Sequence, residues 1–331
     1  MMKAAYITEC GPAQNIQYGE IEKPTATASQ VLVKVGAVSL NPVDTYIRNG
    51  ANYWELPNPF VVGCDLAGTV EAVGENVTRF KVGDRVWGTN QGLLGRQGTF
   101  AEYCSVDEDW LYATPDNVSD NDAAACSLVG VTAHLGLFRD ARLQPDETIF
   151  VHGGTGGVGA MVLQMAKAAG ARVIATAGSA EKAERCKQLG ADVVINYKQE
   201  DEQEAILAAA PQGVDVFWET LREPNLEQIV SVMKERGRIV IMAGRDARPE
   251  FPVGPFYVKC LQLFGFVMFK ASADELRSCA GDINRWLSDG SLKAQISQTM
   301  PLAEAAKAHQ MQEDNTLGMQ GSLAGKIVLT P

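Results

Sequence analysis

Residues 152–159 read His-Gly-Gly-Thr-Gly-Gly-Val-Gly and follow the apolar run Thr148-Ile149-Phe150-Val151. Within them Gly154, Gly156 and Gly159 form a Gly-x-Gly-x-x-Gly spacing. A strand pattern enters this turn and a helical pattern, Met161 to Ala169, leaves it. That context places the unpaired N–H groups and positive dipole end of a helix where a diphosphate can sit. The first glycine permits the tight turn, the second close approach of backbone to ligand, and the third close packing of helix on strand. A merely flexible loop is also glycine-rich. Here strand, turn and helix agree, so the reading is dinucleotide binding.

The elements that must position this turn are legible on both sides of it. Before about residue 115 the chain is rich in strands and turns, with apolar runs at Lys3–Thr8 and Val31–Val38 and Gly-punctuated β-segments from Val61 to Gly74 and Lys81 to Val86. This predicts a compact, barrel-like β domain. Ser119, with Asp122 three residues on, predicts a helix N-cap ahead of Ala123–Phe138. From Ile149 strands and helices alternate. Strands are expected at Ile149–His152, Arg172–Ala177, Val193–Asn196, Val214–Trp218 and Arg238–Ala243. Helices are expected at Met161–Ala169, Glu181–Leu189, Glu202–Ala209 and Leu226–Lys234. Such alternation predicts a doubly wound parallel sheet in an α/β fold. Beyond Cys260 follow an apolar run, Leu261–Phe269, a helix near Ala273–Leu287 and a returning strand at 325–329.

A chain of 331 residues accommodates two domains. Its 46% hydrophobic and 21% charged residues are those of an ordinary globular protein. The net charge of −11 argues against nucleic acid as a partner, because phosphate contacts need clustered Lys and Arg. No secretory signal opens the sequence and no apolar run reaches a membrane span, so a cytoplasmic protein without a membrane partner is expected. The seven cysteines are scattered without Cys-x-x-Cys spacing, which fits reduced thiols.

The sequence resembles the zinc-free quinone oxidoreductase (zeta-crystallin-like) branch of the medium-chain dehydrogenase/reductase superfamily. The residues that carry the resemblance are Asn41-Pro42-Val43-Asp44-Thr45-Tyr46-Ile47-Arg48, the Gly63–Gly74 and Gly83–Val86 segments, Gly130-Val131-Thr132-Ala133, the glycine turn, and 191–197, Ala-Asp-Val-Val-Ile-Asn-Tyr. It extends over essentially the whole chain. It implies a GroES-like catalytic domain formed by residues 1–117 and 267–331 around a Rossmann NADPH-binding domain at 118–266, in a homodimer or homotetramer.

Zinc enzymes of that superfamily ligate their metal through a Cys, the His of a Gly-His-Glu segment and a later Cys. Here Asn41 stands at the first position and Gly63-Cys64-Asp65 replaces Gly-His-Glu. Neutral Asn is a poor zinc ligand, the four-cysteine lobe is missing from 92–103, and His134, His152 and His309 show no metal spacing. No metal is expected, and His134 and His152 are read as structural. Cys64 fits either a thiol available to electrophiles or a small buried filler, with no neighbouring base in sequence to lower its pKa.

NAD-specific sites place an acid about 20 residues beyond the glycines to hold the ribose 2′-OH. The second strand instead ends Ala177-Gly178-Ser179, with no acid before Glu181. Gly178 and Ser179 leave room and offer donors for a 2′-phosphate. The resemblance brings Lys182 and Tyr197 to the same phosphate, one supplying charge and the other a hydroxyl. NADPH is therefore the expected cofactor. By the same carry-over Thr155, Gly156, Gly157 and Val158 meet the diphosphate. Thr132, Asn225 and Met242-Ala243-Gly244-Arg245 line the cofactor groove, and Phe266-Val267-Met268 face the nicotinamide. Two segments depart from the pattern: Glu219-Thr220-Leu221-Arg222 replaces Asp-x-Val-Gly, and 319–324 reads as an insertion.

Without a flavin signature, hydride is expected to pass directly from NADPH to a small electrophile. The developing oxyanion needs a hydrogen-bond donor and a proton source. The resemblance supplies Tyr46 as donor or acid, and Asn41 as anchor for substrate or carboxamide; both are also expected near the cofactor. Tyr46 equally fits a packed aromatic with no proton role. Three activities stay open: NADPH-dependent quinone reduction, which leads, enone or enoyl-thioester reduction, and non-catalytic NADPH binding.

Overall fold

The fold is a computed structural model in which every residue except Asn52, Tyr53 and Met319 is described. Met319, the first residue of the insertion-like segment, therefore lies outside the described residues. The chain divides into two compact units, one formed by residues 1–131 and 271–331 and the other by 132–270.

The first unit opens with β1 (Met2–Ile7), β2 (Gln17–Ile21), β3 (Gln30–Leu40), α1 (Pro42–Arg48), β4 (Phe60–Val61), β5 (Asp65–Val73), β6 (Arg85–Gly88), β7 (Tyr103–Asp107), β8 (Leu111–Ala113) and α2 (Asp120–His134). In β3 buried Val35 lies between exposed Lys34 and Gly36, the period-two signature of a half-buried strand. The long β3 pairs with β5 through a register shift between Val35 and Ala37. A Cβ on Gly68 would lie 2.2 Å from the Lys34 carbonyl oxygen, so only glycine lets the two backbones meet there.

Ser119 caps α2 as expected: its Oγ accepts from Asp122 N at 3.1 Å and donates to the Asp122 carboxylate at 2.6 Å. The unit boundary, however, falls at 131/132 rather than at 117/118. Arg85 reaches Asp120, and Ser39 Oγ donates to the Ala124 carbonyl at 2.8 Å, so most of the helix packs with the β unit.

The second unit contains β9 (Thr148–Val151), α3 (Gly157–Ala168), β10 (Arg172–Ala177), α4 (Ala180–Gln188), β11 (Val193–Asn196), α5 (Glu202–Ala209), β12 (Val214–Glu219), α6 (Leu226–Ser231), β13 (Met233–Ile241), α7 (Val253–Val258) and β14 (Gln262–Gly265). All six strands are parallel, in the order β11-β10-β9-β12-β13-β14. The chain winds outward from β9 to β11, then crosses to the far side for β12. The strand order therefore reverses between β9 and β12, where open α/β sheets bind ligands. Phe150, Ile174, Ile195, Phe217, Val230 and Ile239 join one buried cluster.

The helix expected to reach Lys234 stops at Ser231. Val214 N donates to the Val232 carbonyl at 3.0 Å and draws the following residues into the sheet, so Met233 already belongs to a strand.

The chain then returns to the first unit through α8 (Ala273–Asp289), β15 (Ile296–Pro301), α9 (Ala305–Thr316) and β16 (Lys326–Thr330). The seven-stranded sheet runs β15-β16-β3-β5-β6-β8, with β7 also pairing β3, and a smaller sheet runs β2-β1-β4. Helices α1, α7 and α9 and strand β15 were not legible in the sequence. Among the described residues no helix is long and apolar enough to cross a membrane.

Candidate active-site residues in the two units

In the first unit, strand pairing gathers a buried polar cluster from three distant stretches of sequence. The β16–β3 register sets Val328 opposite Ser39 and Ile327 opposite Leu40; the β3–β5 register sets Ser39 opposite Asp65. The strand ends thereby bring Lys326, Asn41 and Asp65 together. Lys326 Nζ donates to the Leu40 carbonyl at 2.6 Å and to Asn41 Oδ1. Asn41 Nδ2 donates to Asp65 Oδ2 at 2.8 Å, and the same oxygen accepts from Ser39 Oγ at 2.9 Å. Asn41 N donates to Asp44 Oδ2 at 2.7 Å, which ties the start of α1 to its first turn.

Asn41, Asp44, Cys64, Asp65 and Lys326 are all buried. Burial pushes Asp44 up to about 7, with the charge of Asp65 adding to the rise. Burial likewise raises Asp65 and lowers Lys326, although the opposite charges of the two work against both shifts. Burial also pushes the Cys64 thiol well above its ordinary value, reinforced by Asp44 and Asp65. A thiol held protonated in this way is a poor nucleophile, which favours the filler reading of Cys64.

This donor set does not fit zinc. Both polar ends of the Asn41 carboxamide are engaged, the Cys64 thiol holds its proton, and a dication would face the Lys326 ammonium. Among the described residues no group of three His, Cys, Asp or Glu side chains is arranged for a metal. The same engagement bears on the anchoring role expected of Asn41. Its side chain is fully buried and hydrogen-bonded to Lys326 and Asp65, which fixes the carboxamide in one orientation. Tyr46 sits one turn into α1 and is half-buried. His309 is buried, with its ring against Phe100.

In the second unit α3 begins at Gly157 with Gly156 as its N-cap, so Thr155, Gly156, Gly157 and Val158 lie where the helix presents its first N–H groups. Gly156 N donates to the Gly153 carbonyl at 2.9 Å, closing the turn. A Cβ on Gly159 would stand 2.1 Å from that carbonyl oxygen, so the helix seats on the turn because residue 159 has no side chain. This fits a dinucleotide diphosphate.

At the end of β10 a Cβ on Gly178 would lie 2.3 Å from the Tyr197 hydroxyl, so the phenol rests directly over the Gly178 backbone. Ser179 caps α4, its Oγ accepting from Lys182 N at 3.3 Å, and the Ala177–Asn196 pairing of β10 and β11 keeps Tyr197 beside these residues. Gly178, Ser179, Lys182 and Tyr197 therefore form one group at the strand end, with no carboxylate in β10 or its cap.

The remaining expected contacts are placed less uniformly. Asn225 is the N-cap of α6, its Oδ1 accepting from Gln228 N at 3.1 Å, which gives it a structural task. Met242, Ala243 and Gly244 are half-buried after β13 and Arg245 is exposed. Phe266 is half-buried with the Arg139 guanidinium over its ring, Val267 is exposed and Met268 buried. Thr132 is buried. His152 and Glu219, at the ends of β9 and β12, are joined in an ion pair with Glu202 of α5. The departure from Asp-x-Val-Gly at 219–222 thus places a buried carboxylate against the last residue before the glycine turn.

Residues 27–116 match the alcohol dehydrogenase GroES-like domain model, and residues 157–281 match the zinc-binding dehydrogenase model. The chain is 32% identical over 331 residues to the quinone oxidoreductase of Rattus norvegicus, covering 99% of this chain and 98% of the rat protein. Among solved structures it superposes on an NAD-dependent alcohol dehydrogenase with a TM-score of 0.89 at 30% identity, covering 100% of both chains. It also superposes on Escherichia coli quinone oxidoreductase complexed with NADPH, with a TM-score of 0.86 at 27% identity, covering 99% of this chain and 100% of that one. The chain belongs to the medium-chain dehydrogenase/reductase superfamily. It is an oxidoreductase with the GroES-like and parallel-sheet domains of that superfamily.

Sequence reasoning missed Lys326 and the pairing of His152 with Glu202 and Glu219. A lysine at the head of the apolar strand Ile327-Val328-Leu329 was the available signal for the first; nothing local signalled the second. Lys326→Met should destabilise the protein by about 3–5 kcal/mol, because it leaves Asp65 and the Asn41 carbonyl buried without their cation. Urea unfolding monitored by circular dichroism checks this. A loss below about 1 kcal/mol would show that the ammonium does not hold the cluster together.

Proposed function

We propose that the protein is an NADPH-dependent quinone reductase that works without zinc or flavin. The observation that carries the reading is the strand end where Tyr197 covers Gly178 beside Ser179 and Lys182, with no carboxylate to receive a ribose 2′-OH. When bound, NADPH supplies the hydride. The N–H groups at the start of α3 serve the diphosphate, and Lys182 and the Tyr197 hydroxyl serve the 2′-phosphate. Tyr46 donates a hydrogen bond to the substrate oxygen as charge develops there. Quinone oxyanions are stable, so this donor contributes less to quinone reduction than it would to reduction of an enone. The free thiols at all seven cysteines suit a reducing compartment such as the cytoplasm.

Oxidation of NADPH and of NADH with a small quinone, a long-chain enone and an enoyl-CoA tests the reading. Quinone turnover with strong preference for NADPH is expected. Absence of quinone turnover at saturating NADPH would overturn the substrate class, and equal use of NADH would overturn the cofactor assignment. Lys182→Ala should raise KM for NADPH about tenfold while leaving that for NADH nearly unchanged, since it removes a charge that meets the 2′-phosphate alone. Tyr46→Phe should lower enone turnover far more than quinone turnover; a uniform loss would assign Tyr46 to cofactor binding.

The same unit suggests a homodimer. Strand β14 is the edge of the parallel sheet, and α7 just before it leaves Val253, Tyr257 and Val258 exposed at 62%, 67% and 68%. An apolar edge of this kind invites pairing with its own copy about a two-fold axis. Light scattering should give a dimer for the native chain and a monomer for the Val258→Asp, Leu263→Asp double variant. A native monomer at micromolar concentration would exclude this interface.

A further inference from the structure

The sheet reverses its strand order between β9 and β12; His152 directly follows the last residue of β9, and Glu219 is the last residue of β12. Neither was assigned a task by the glycine turn that follows. His152 Nδ1 lies 2.9 Å from both oxygens of Glu219, and its Nε2 lies 2.8 Å from Glu202 Oε1 at the first turn of α5. A carboxylate only accepts hydrogen bonds, so a ring with a carboxylate at each nitrogen needs a proton on both. Each carboxylate also accepts from a second donor. Glu219 Oε1 takes the Leu221 N–H at 2.6 Å and Glu202 Oε1 takes the Gln228 amide at 3.3 Å, which fixes both carboxyl groups against the ring.

We propose that His152 is a positioning residue: an imidazolium braced between Glu219 and Glu202 that fixes the glycine turn in the conformation that receives the dinucleotide diphosphate. The inference rests on the dinucleotide reading of that turn. The mechanical link is short. His152 N donates to the Trp218 carbonyl at 3.0 Å and Thr220 Oγ1 donates to the His152 carbonyl at 2.8 Å, so both sides of the His152 backbone are tied to the end of β12. The next residue, Gly153, has φ +71°, and a Cβ there would lie 2.7 Å from Thr220 Oγ1. Its carbonyl closes the turn on Gly156. The rings of Phe150 and Phe217 stand edge-on to the imidazole at 5.0 and 5.1 Å and limit its rotation.

Charge gives the brace a pH dependence. Glu219 from β12 and Glu202 from α5 are the charged groups that face the ring, while Gln228 of α6, Phe150 and Phe217 are neutral. Burial works against the imidazolium, but the hydrogen bonds and charges of the two carboxylates outweigh it and hold His152 up at about 9. A histidine raised above its ordinary 6.5 contributes stability that is fully present below pH 6.5 and is lost as pH rises through about 9. Above that pH two carboxylates confront a neutral ring, and the negative charge left beside the turn opposes an incoming diphosphate.

Two measurements test this. In the 15N spectrum of histidine-labelled protein, His152 should show both ring nitrogens protonated at pH 8, with or without NADPH. A neutral ring there would overturn the proposal. In the second, the dissociation constant of NADPH is measured calorimetrically from pH 7 to 10. Affinity should be level to about pH 8 and fall through pH 9. Glu202→Gln, which leaves the core intact, should move the midpoint down by about one pH unit or more, because one of the two carboxylate charges is gone. His152→Gln should bind about ten- to a hundredfold more weakly at pH 8 and lose the step. A pH-independent affinity, or a midpoint unmoved in Glu202→Gln, would overturn the proposal. Failure to bind at pH 7 would instead overturn the dinucleotide reading, and the positioning role would fall with it.

Discussion

An ammonium ion inside a β-sheet is the constraint on which the first unit depends. Lys326 is buried at the start of the last strand, and a cation there costs several kcal/mol unless its surroundings supply charge and acceptors. Asp65 supplies the charge, and Asn41 and the Leu40 carbonyl supply the acceptors. Each is available because β16 pairs with β3 and β3 with β5 in one register. A slip of one residue would turn Lys326 to the opposite face and leave Asp65 buried without its cation. The cluster thus specifies the register that closes the sheet, and through Asn41 and Asp44 it also fixes where α1 starts and where Tyr46 is carried.

The second unit depends on close approach. Its turn works because the backbone is bare at Gly159 and Gly178, where added Cβ atoms would meet the Gly153 carbonyl and the Tyr197 hydroxyl. The two glycines act differently. At Gly159 the bare backbone lets α3 seat its N-terminus against the strand, which sets the direction of the helix dipole. At Gly178 it lets the hydroxyl end of the Tyr197 ring come up against a strand end. The first property is general to a helix that starts on a glycine turn; the second is particular to the end of β10.

Most of the architecture was legible because its determinants are local. The parallel strands from Arg172 to Glu219 show apolar, β-branched runs between helical patterns, and β11 and α5 begin and end where the sequence placed them. The helix expected near Ala273–Leu287 spans Ala273–Asp289, and Ser272 and Glu275 form a capping box at its start. What escaped was set by distant pairing. The strand Met233–Ile241 begins early because Val214 recruits Val232, and β15 is a strand because β16 lies beside it. The site divides the same way. The glycine turn and the acid-free strand end are contiguous and were read directly. The partners of Asn41 were not, since Lys326 lies 285 residues away. The amide of Asn41, expected as an anchor for ligands, is thus held by partners that no local pattern announced.

The ammonium beside Asn41 also bears on the chemistry. A zinc ion with an open coordination position polarises a carbonyl directly. Lys326 offers no such position, because its donors are directed to Leu40 and Asn41 and its charge is answered by buried carboxyl groups. On the proposed function, electrophilic assistance falls to hydrogen-bond donors, which are weaker than a Lewis acid. A site of this kind suits acceptors whose reduced form is already a stabilised anion. Quinones meet that condition, whereas a simple ketone, whose alkoxide needs strong stabilisation, does not.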